Sequence, residues 1–363
     1  MKDLGSLAQQ TADQLAADRV GAVVAVVAGG VTEIRGAGRT GGDDESVPGA
    51  DTVFEIGSVT KVFTALALAR LVVAGTVELD EPLGELLPAG ASVPSRGGEQ
   101  ITLRHLATHT SGLSRLPTGM LWRALLHPST PDPYADCTTD RLLRALAEAR
   151  LGATPGRRFR YSNFGAGLLG LALAHRAGTD YETLIAREIR TPLGLTDTGV
   201  AVGSLAQGHT RSRKPTPAWQ LADLAGAGGL RSTATDLTTF VRAQLKEGAQ
   251  PEDGVQLSDS APLEDGAPLS DSAGELAAAI RLSRQVHHRI NAFSWAHLGW
   301  LGQRLHPRLG GYSQIWHNGG TGGFCSFVGF DPERPVAVVA LSNTQRPVDR
   351  PALDLLRSLQ AAH

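Results

Sequence analysis

Residues 54–61 read Phe-Glu-Ile-Gly-Ser-Val-Thr-Lys, and they run without a break into an apolar segment that ends at Val73. The pattern predicts a helix from Ser58 to Ala74, and we expect this helix to be buried because its apolar residues leave almost no polar face. Lys61 stands in its first turn. Because burial disfavours an ammonium ion, we expect the pKa of Lys61 to be depressed.

Ser58 is the residue that such a lysine could activate. Residues three apart on a helix share a face and lie about 5–6 Å apart, so we expect Lys61 beside Ser58. A partly neutral lysine can take the proton of a serine hydroxyl, and the free N–H groups and partial positive charge at the helix start would stabilise an oxyanion. The alternative is that Ser58 only caps the helix, since serine is a preferred capping residue.

Length and composition fit a globular protein with no charged macromolecular partner. The chain has 363 residues, enough for one large domain or two closely packed ones. Its formal net charge of −2 argues against a basic field for nucleic acid and a polybasic surface for a membrane. Cys137 and Cys325 lie far apart without metal-ligand spacing, so we expect two free thiols, no metal and no cofactor.

The N-terminus predicts the compartment. Residues 1–18 form a polar, amphipathic segment without the basic start and apolar core of a signal peptide. No stretch of the chain approaches the roughly 18 uninterrupted apolar residues of a membrane span. We therefore expect a cytoplasmic protein, unless a leader was removed.

Strands are predicted towards the two ends of the chain. Residues 21–28 and 31–36 read as a hairpin that turns at Gly29-Gly30. Before the later strands, residues 252–272 are acidic and rich in Pro, Gly and Ser, which is typical of a mobile surface insertion. The later strands are expected at residues 296–305, 315–317, 323–331 and 336–342.

Residues 101–113 predict one short helix that ends at a Ser-Gly pair. On such a helix His105 and His109, four residues apart, would share one face. No carboxylate or third ligand accompanies them, so we expect helix-end histidines rather than metal ligands.

Two more groups of polar residues stand where apolar segments begin or meet. Tyr161, Ser162 and Asn163 precede an apolar helix. Capping of that helix accounts for Ser162 and Asn163, whereas Tyr161 could be a core residue, an interface hydrogen bonder or a proton relay. Residues 317–323 read His-Asn-Gly-Gly-Thr-Gly-Gly, and by themselves they fit a glycine hairpin between two strands.

Together, Ser58-x-x-Lys61, Tyr161-x-Asn163 and His317-x-Gly319 resemble, in type and order, the three signature elements of the serine β-lactamase and penicillin-binding protein superfamily. The Tyr-x-Asn element resembles more narrowly the branch of class C β-lactamases, D-Ala-D-Ala carboxypeptidases and related esterases and acyltransferases. The resemblance extends over nearly the whole chain.

This resemblance implies an α/β (α+β) chain with the β-lactamase/D,D-peptidase-like fold, in which an antiparallel sheet is flanked by helices and a second subdomain is mostly helical. The α/β subdomain would be discontinuous, from residues 1–75 plus 225–363, and residues 76–224 would form the helical subdomain. The segments expected to overhang the site and set its specificity are 117–133, 203–226 and 252–295.

The resemblance also implies a role for each matching residue. Ser58 would form an acyl-enzyme, and Lys61 with Tyr161 would handle its proton, with either of them as the general base. Asn163 would orient Lys61 and the substrate. The oxyanion and substrate-binding set would comprise the backbone N–H groups of Ser58 and Gly320 together with Asn163, His317 and Gly319.

The third element departs from the Lys-Thr-Gly of typical β-lactamases, because His317 and Asn318 replace the lysine and the hydroxyl residue. Histidine is mostly neutral at pH 7, so it is a poor partner for a substrate carboxylate. We therefore expect a serine esterase, amidase or transacylase that acts on a small ester or amide, with water or an amine as the acyl acceptor. The alternatives are a β-lactamase or D,D-carboxypeptidase and a non-catalytic binding or sensor module of the same fold.

Overall fold

The apolar segments of the sequence become helices and strands of a layered α/β structure. A computed structural model describes residues 3–42, 45–117, 120, 132, 134–248 and 272–363. The α-helices of this part are α1 (Leu4–Ala16), α2 (Thr60–Val73), α3 (Leu83–Leu86), α4 (Leu103–Ala107), α5 (Thr139–Ala147), α6 (Asn163–Arg176), α7 (Tyr181–Ile185), α8 (Thr191–Leu193), α9 (Ala234–Gly248), α10 (Ser272–Gln285) and α11 (Asp349–Ala362). Its strands are β1 (Gly21–Ala28), β2 (Val31–Gly38), β3 (Phe54–Glu55), β4 (Gly208–His209), β5 (Pro215–Thr216), β6 (Arg231–Ser232), β7 (His287–Asn291), β8 (Ser294–His297), β9 (Leu301–Arg304), β10 (Ser313–Gly320), β11 (Cys325–Phe330) and β12 (Val336–Ser342).

Eight of the described strands form one antiparallel sheet in the order β2-β1-β12-β11-β10-β9-β8-β7. The predicted hairpin is confirmed, because β1 pairs with β2 and the turn between them contains Gly29 and Gly30 at φ values of 55° and 84°, which favour glycine. Strands β1, β11 and β12 are buried along their whole length. Strands buried on both faces read as nearly continuous apolar runs, as these do.

Helices cover the sheet on both faces, so the predicted antiparallel sheet flanked by helices is confirmed. On one face α1 and α11 pack against alternate residues of β1, among them Val24 and Val26. On the other face Val23 and Val27 of the same strand join a larger apolar cluster that extends into α2, α9 and α10. This division follows from the two-residue period of a strand.

The buried helix predicted from residues 58–74 is confirmed as α2. A 3₁₀ turn at Gly57–Val59 leads into it, so Ser58 lies at its very start. The helix packs against α6 and α10 and is buried on all sides along most of its length, with Lys61 only 2% exposed.

The helix predicted over residues 101–113 is wrong in its length, because only Leu103–Ala107 is helical. The Thr108 hydroxyl donates to the backbone one turn back, and such bonds compete with the helical ladder. His109 then has a φ of 57°, so it does not share a helix face with His105. His105 instead accepts a backbone N–H at the start of α4 and closes a capping box, as expected for a helix-end histidine.

The strand predicted over residues 296–305 is wrong as a single element, because a tight turn divides it into β8 and β9. Gly299 in this turn has a φ of 72°, and its N–H donates to the carbonyl oxygen of Ala107. A Cβ on Gly299 would lie 2.6 Å from the carbonyl oxygen of Lys61, so the turn is pressed against α2. The other three late strands are confirmed as β10, β11 and β12, with somewhat different ends for the first two.

One apolar cluster joins the regions assigned to the two predicted subdomains. It contains Val23 of the sheet and Leu168 of α6. The division into residues 1–75 plus 225–363 and residues 76–224 therefore stays a prediction.

Cys137 and Cys325 are confirmed as free thiols, and both are buried. The insertion predicted at residues 252–272 lies outside the described residues, apart from Ser272 at the start of α10. Among the helices that the structure describes, none combines the length and the apolar character needed to cross a membrane.

Candidate active site

The first and third motifs meet where β10 runs beside the start of α2. Gly57 has a φ of 49°, and a Cβ on it would lie 2.7 Å from the backbone nitrogen of Gly320. A Cβ on Gly319 would overlap the carbonyl oxygen that precedes Gly57, and Ser326 of β11 donates to that same oxygen at 2.7 Å. Glycine at these positions lets the two backbones touch, which brings Gly320 next to Ser58.

Lys61 reaches Ser58 directly. Its Nζ lies 3.0 Å from the Oγ of Ser58 and 2.5 Å from the carbonyl oxygen of Ala227. Burial, helped by the charge of Arg115, holds the pKa of Lys61 well below its ordinary value. The Ser58 hydroxyl therefore faces a lysine rather than a free backbone N–H, which disfavours the capping alternative.

Tyr161 completes the group around the serine. Its hydroxyl is hydrogen-bonded with the side chain of Ser58, and Lys61 Nζ lies 4.9 Å from the centroid of its ring. Burial raises the pKa of Tyr161 to about 12, although the Ser58 bond and the charge of Arg115 act in the opposite direction. Because burial favours the neutral form of both groups, the lysine is the better base and the phenol the better proton donor.

Two buried histidines with opposite tautomers flank Tyr161. His317 Nδ1 donates to the carbonyl oxygen of Asn318 at 2.7 Å, whereas His109 Nδ1 accepts from the N–H of Ser162 at 3.3 Å. In the described part of the chain, neither Nε2 has a partner. The ring centroids lie 6.1 Å (His317) and 4.5 Å (His109) from that of Tyr161. Burial lowers the pKa of His317 to about 3 and that of His109 well below its ordinary value, so both rings are neutral.

A cavity of about 500 Å³ opens onto Ser58. The predicted site residues that line it are Ser58, Tyr161, Asn163, Gly319 and Gly320. Lys61 and His317 are not among the described residues of its lining, since both are buried beside Tyr161. Of the two residues that distinguish the third motif, Asn318 rather than His317 therefore lines the cavity.

Asn163 lies at the first position of α6, which Ser162 caps as predicted by accepting an N–H through Oγ. The Asn163 amide donates to the hydroxyl of Tyr134, and its Oδ1 is buried without a partner among the described residues. The described hydrogen bonds of Lys61 go to Ser58 and to a carbonyl oxygen, so the expected contact between Asn163 and Lys61 is not one of them. Asn163 Oδ1 is therefore an acceptor that no described residue uses.

Sequence reasoning missed four of the lining residues, Arg115, Tyr134, Trp219 and Asp349. The Arg115 guanidinium lies 5.3 Å from the ring centroid of Tyr161, and the rings of Tyr134 and Trp219 lie 5.1 Å apart. Trp219 belongs to the 203–226 segment that was expected to overhang the site, but the others carry no motif. Within the residues described, no three His, Cys, Asp or Glu side chains are grouped to hold a metal ion.

The chain matches known proteins along nearly its whole length. A family model described as Beta-lactamase matches residues 8–362. The D-alanyl-D-alanine-carboxypeptidase/endopeptidase AmpH of Escherichia coli K12 is 29% identical over 333 residues, which cover 91% of this chain and 80% of that protein. Esterase EstB of Burkholderia gladioli is 35% identical over 153 residues, 41% of this chain and 38% of that protein. The crystal structure of a β-lactamase/D-alanine carboxypeptidase from Pseudomonas syringae superposes with a TM-score of 0.77 at 22% identity, covering 99% of both chains.

Proposed function

The chain belongs to the Beta-lactamase family of serine acyl-transfer hydrolases, and on this premise we propose that it acts as an esterase, amidase or transacylase through an acyl-enzyme on Ser58. The resemblance drawn from the three motifs, and with it the β-lactamase/D,D-peptidase-like fold, is confirmed by the family match and the solved structure. From the geometry of the site we propose the nucleophile, its base and the substrate class.

The observation that carries the proposal is the contact between Ser58 Oγ and Lys61 Nζ, at 3.0 Å, with the pKa of the buried lysine held low. A neutral Lys61 takes the proton of Ser58 as Oγ bonds to the carbonyl carbon of the substrate. The oxyanion that forms is stabilised by the backbone N–H groups of Ser58 and Gly320.

Tyr161 serves the departure of the leaving group. Its phenol, with a pKa near 12, gives a proton to the alcohol or amine as the C–O or C–N bond breaks, and it regains one from protonated Lys61. Water or an amine then attacks the acyl group on Ser58. The incoming molecule loses a proton to Lys61, which returns it to Ser58 Oγ, so the free enzyme is restored.

Covalent labelling tests the nucleophile. After reaction with a fluorophosphonate, mass spectrometry should find the adduct on Ser58, and Ser58→Ala should lose both the adduct and the turnover of p-nitrophenyl esters. Ser358→Ala, which alters an exposed serine of α11, is the matched control and should behave as the wild type. An unlabelled Ser58 or an active Ser58→Ala variant would overturn the proposal, and a labelled Ser58 without turnover of any ester would favour a binding or sensor module.

Substrates without a carboxylate at the third motif fit the site best. Burial lowers the pKa of His317 to about 3, so this position holds no cation at neutral pH, where a β-lactamase has a lysine. We expect p-nitrophenyl esters to be hydrolysed with a much higher kcat/KM than nitrocefin. Comparable kcat/KM values for nitrocefin and the p-nitrophenyl esters would instead favour the β-lactamase alternative.

D-Ala-D-Ala carboxypeptidase activity is the second candidate function. The relative from Escherichia coli is named for it, and Arg115 places one guanidinium at the cavity wall, where it could bind a peptide carboxylate. Release of D-alanine from a peptide ending in D-Ala-D-Ala, with loss of that release in Arg115→Gln, would support this function over the first.

A further inference from the structure

One wall of the cavity carries a carboxylate that the reaction described above does not use. Asp349, the first residue of α11, lines the cavity beside Pro347, Cys325 and Asn318. Asn318 precedes the oxyanion residue Gly320 by two positions on β10. Residues two apart on a strand lie about 6–7 Å apart on the same face, so one substrate molecule bound at Ser58 and Gly320 can also contact this wall.

The Asp349 carboxylate is held in place by hydrogen bonding rather than by an ion pair. Burial raises the pKa of Asp349, while hydrogen bonds from its own backbone N–H at the helix start and from the Asn318 amide act in the opposite direction. Arg19 contributes a more distant positive charge, but its guanidinium donates to Asp18 and to backbone carbonyl oxygens. Among the described residues, no basic side chain forms an ion pair with Asp349.

The rest of this wall is uncharged. Burial raises the pKa of the Cys325 thiol to about 12, and the carboxylate of Asp349 acts in the same direction, so the thiol stays protonated. His317 on the same strand is neutral. The other charged side chain in the described lining is Arg115, which lies over Tyr161. Asp349 is therefore the one acidic side chain in the described lining of the cavity, and no basic side chain of that lining lies on its wall.

We propose that Asp349 and Asn318 form a subsite for a positively charged group of the substrate, of the ammonium type. The Asp349 carboxylate would supply the charge, and the Asn318 side-chain oxygen would add a second partial negative charge beside that group. This inference rests on the proposed function, since it names the substrate class of the same site. It also accounts for a third motif without a cation, because a cation at this wall would compete with the substrate for Asp349.

Matched esters test the subsite. One set varies the acyl side: p-nitrophenyl butyrate, p-nitrophenyl 4-(trimethylammonio)butyrate and mono-p-nitrophenyl glutarate. A second pair varies the leaving group: phenyl acetate and 3-(trimethylammonio)phenyl acetate. In at least one set, kcat/KM at low ionic strength should be about tenfold higher for the cationic ester than for its neutral partner, a difference of about 1.4 kcal/mol. In the acyl-side set the anionic ester should be the poorest substrate.

Asp349→Asn keeps the shape and the hydrogen bond to Asn318 but removes the charge, so it should abolish the cation preference while the neutral ester is turned over within about threefold of the wild-type rate. Asp354→Asn is the control, because Asp354 is an exposed carboxylate of the same helix that pairs with Arg357. It should keep the full preference. Circular dichroism melts of both variants check that they are folded.

A cation preference of the same size in Asp349→Asn would overturn the subsite, and so would its absence from the wild type. A preference for the anionic ester that disappears in Arg115→Gln would place charge selection at Arg115 instead. If no ester is turned over, the proposed function fails separately. In that case, calorimetric titration with benzyltrimethylammonium compares Ser58→Ala with the double variant that also carries Asp349→Asn. Equal binding by the two proteins would overturn the subsite.

Discussion

Gly57→Ala is the perturbation that tests the assembly of the site most directly. Gly57 has a φ of 49°, where a residue with a Cβ costs about 1–2 kcal/mol. The new Cβ would lie 2.7 Å from N, 3.0 Å from O and 3.1 Å from C of Gly320. These are backbone atoms that no change of rotamer can move, so the overlap adds about 1–3 kcal/mol. We expect the free energy of unfolding to fall by about 2–5 kcal/mol.

Relief of the overlap requires β10 to move away from Ser58, which takes the N–H of Gly320 out of the proposed oxyanion hole. Loss of one such donor lowers kcat by about 10²–10³-fold. Gly75→Ala is the matched control, because Gly75 follows the other end of α2 with a φ of 67° and its Cβ would meet nothing within 4 Å. It should cost about 1–2 kcal/mol of stability and leave kcat unchanged.

The assay is kcat for a p-nitrophenyl ester together with denaturant unfolding, on the wild type and both variants. Equal kcat values in Gly57→Ala and Gly75→Ala would refute the argument that contact with Gly320 positions the oxyanion donor. Equal free energies of unfolding in the two variants would refute the overlap itself.

Three further substitutions probe the buried groups around Ser58. Lys61→Met should abolish ester turnover but raise the melting temperature. Because the pKa of Lys61 lies below the ordinary value of 10.5, the stability of the wild type should rise with pH towards that value. Calorimetry over this pH range should therefore show a shrinking difference in melting temperature between the variant and the wild type. The pKa of His317 is about 3, against an ordinary 6.5, so the wild type should lose stability as the pH falls from 6.5 to 3. Thermal melts over this pH range should show a smaller loss of stability for His317→Gln. Tyr161→Phe should lower kcat more for amides than for p-nitrophenyl esters, since nitrophenolate leaves without needing a proton; equal losses would contradict the role of Tyr161 as proton donor.

The sequence predicted best those features that depend on residues close together in the chain. The apolar residues that follow Ser58 predicted the buried helix α2, and the lysine in its first turn predicted the depressed pKa of Lys61; the structure has both features. The Gly29-Gly30 turn predicted the first hairpin because glycine is favoured at positive φ. Ser162 was predicted as a cap and is one.

The features that could not be predicted depend on contacts between distant parts of the chain. Residues 101–113 look helical in isolation, but Thr108 bonds to its own backbone and His109 turns towards Tyr161. The strand predicted at residues 296–305 is bent because Gly299 packs against α2. Asp349 reads as an ordinary acidic residue at a helix start, and only its proximity to Asn318 identifies it as part of the cavity wall.

The order of strands in the central sheet has a consequence for how the protein is made. The proposed nucleophile Ser58 is synthesised well before its proposed oxyanion partner Gly320, which lies on β10 and is held in the sheet by β11 and β9. The strand β1 likewise pairs with β12, from the far end of the chain. A chain that lacks these late strands carries Ser58 without its proposed oxyanion partner, so we expect Ser58 to become reactive only after β9 to β12 are synthesised and paired.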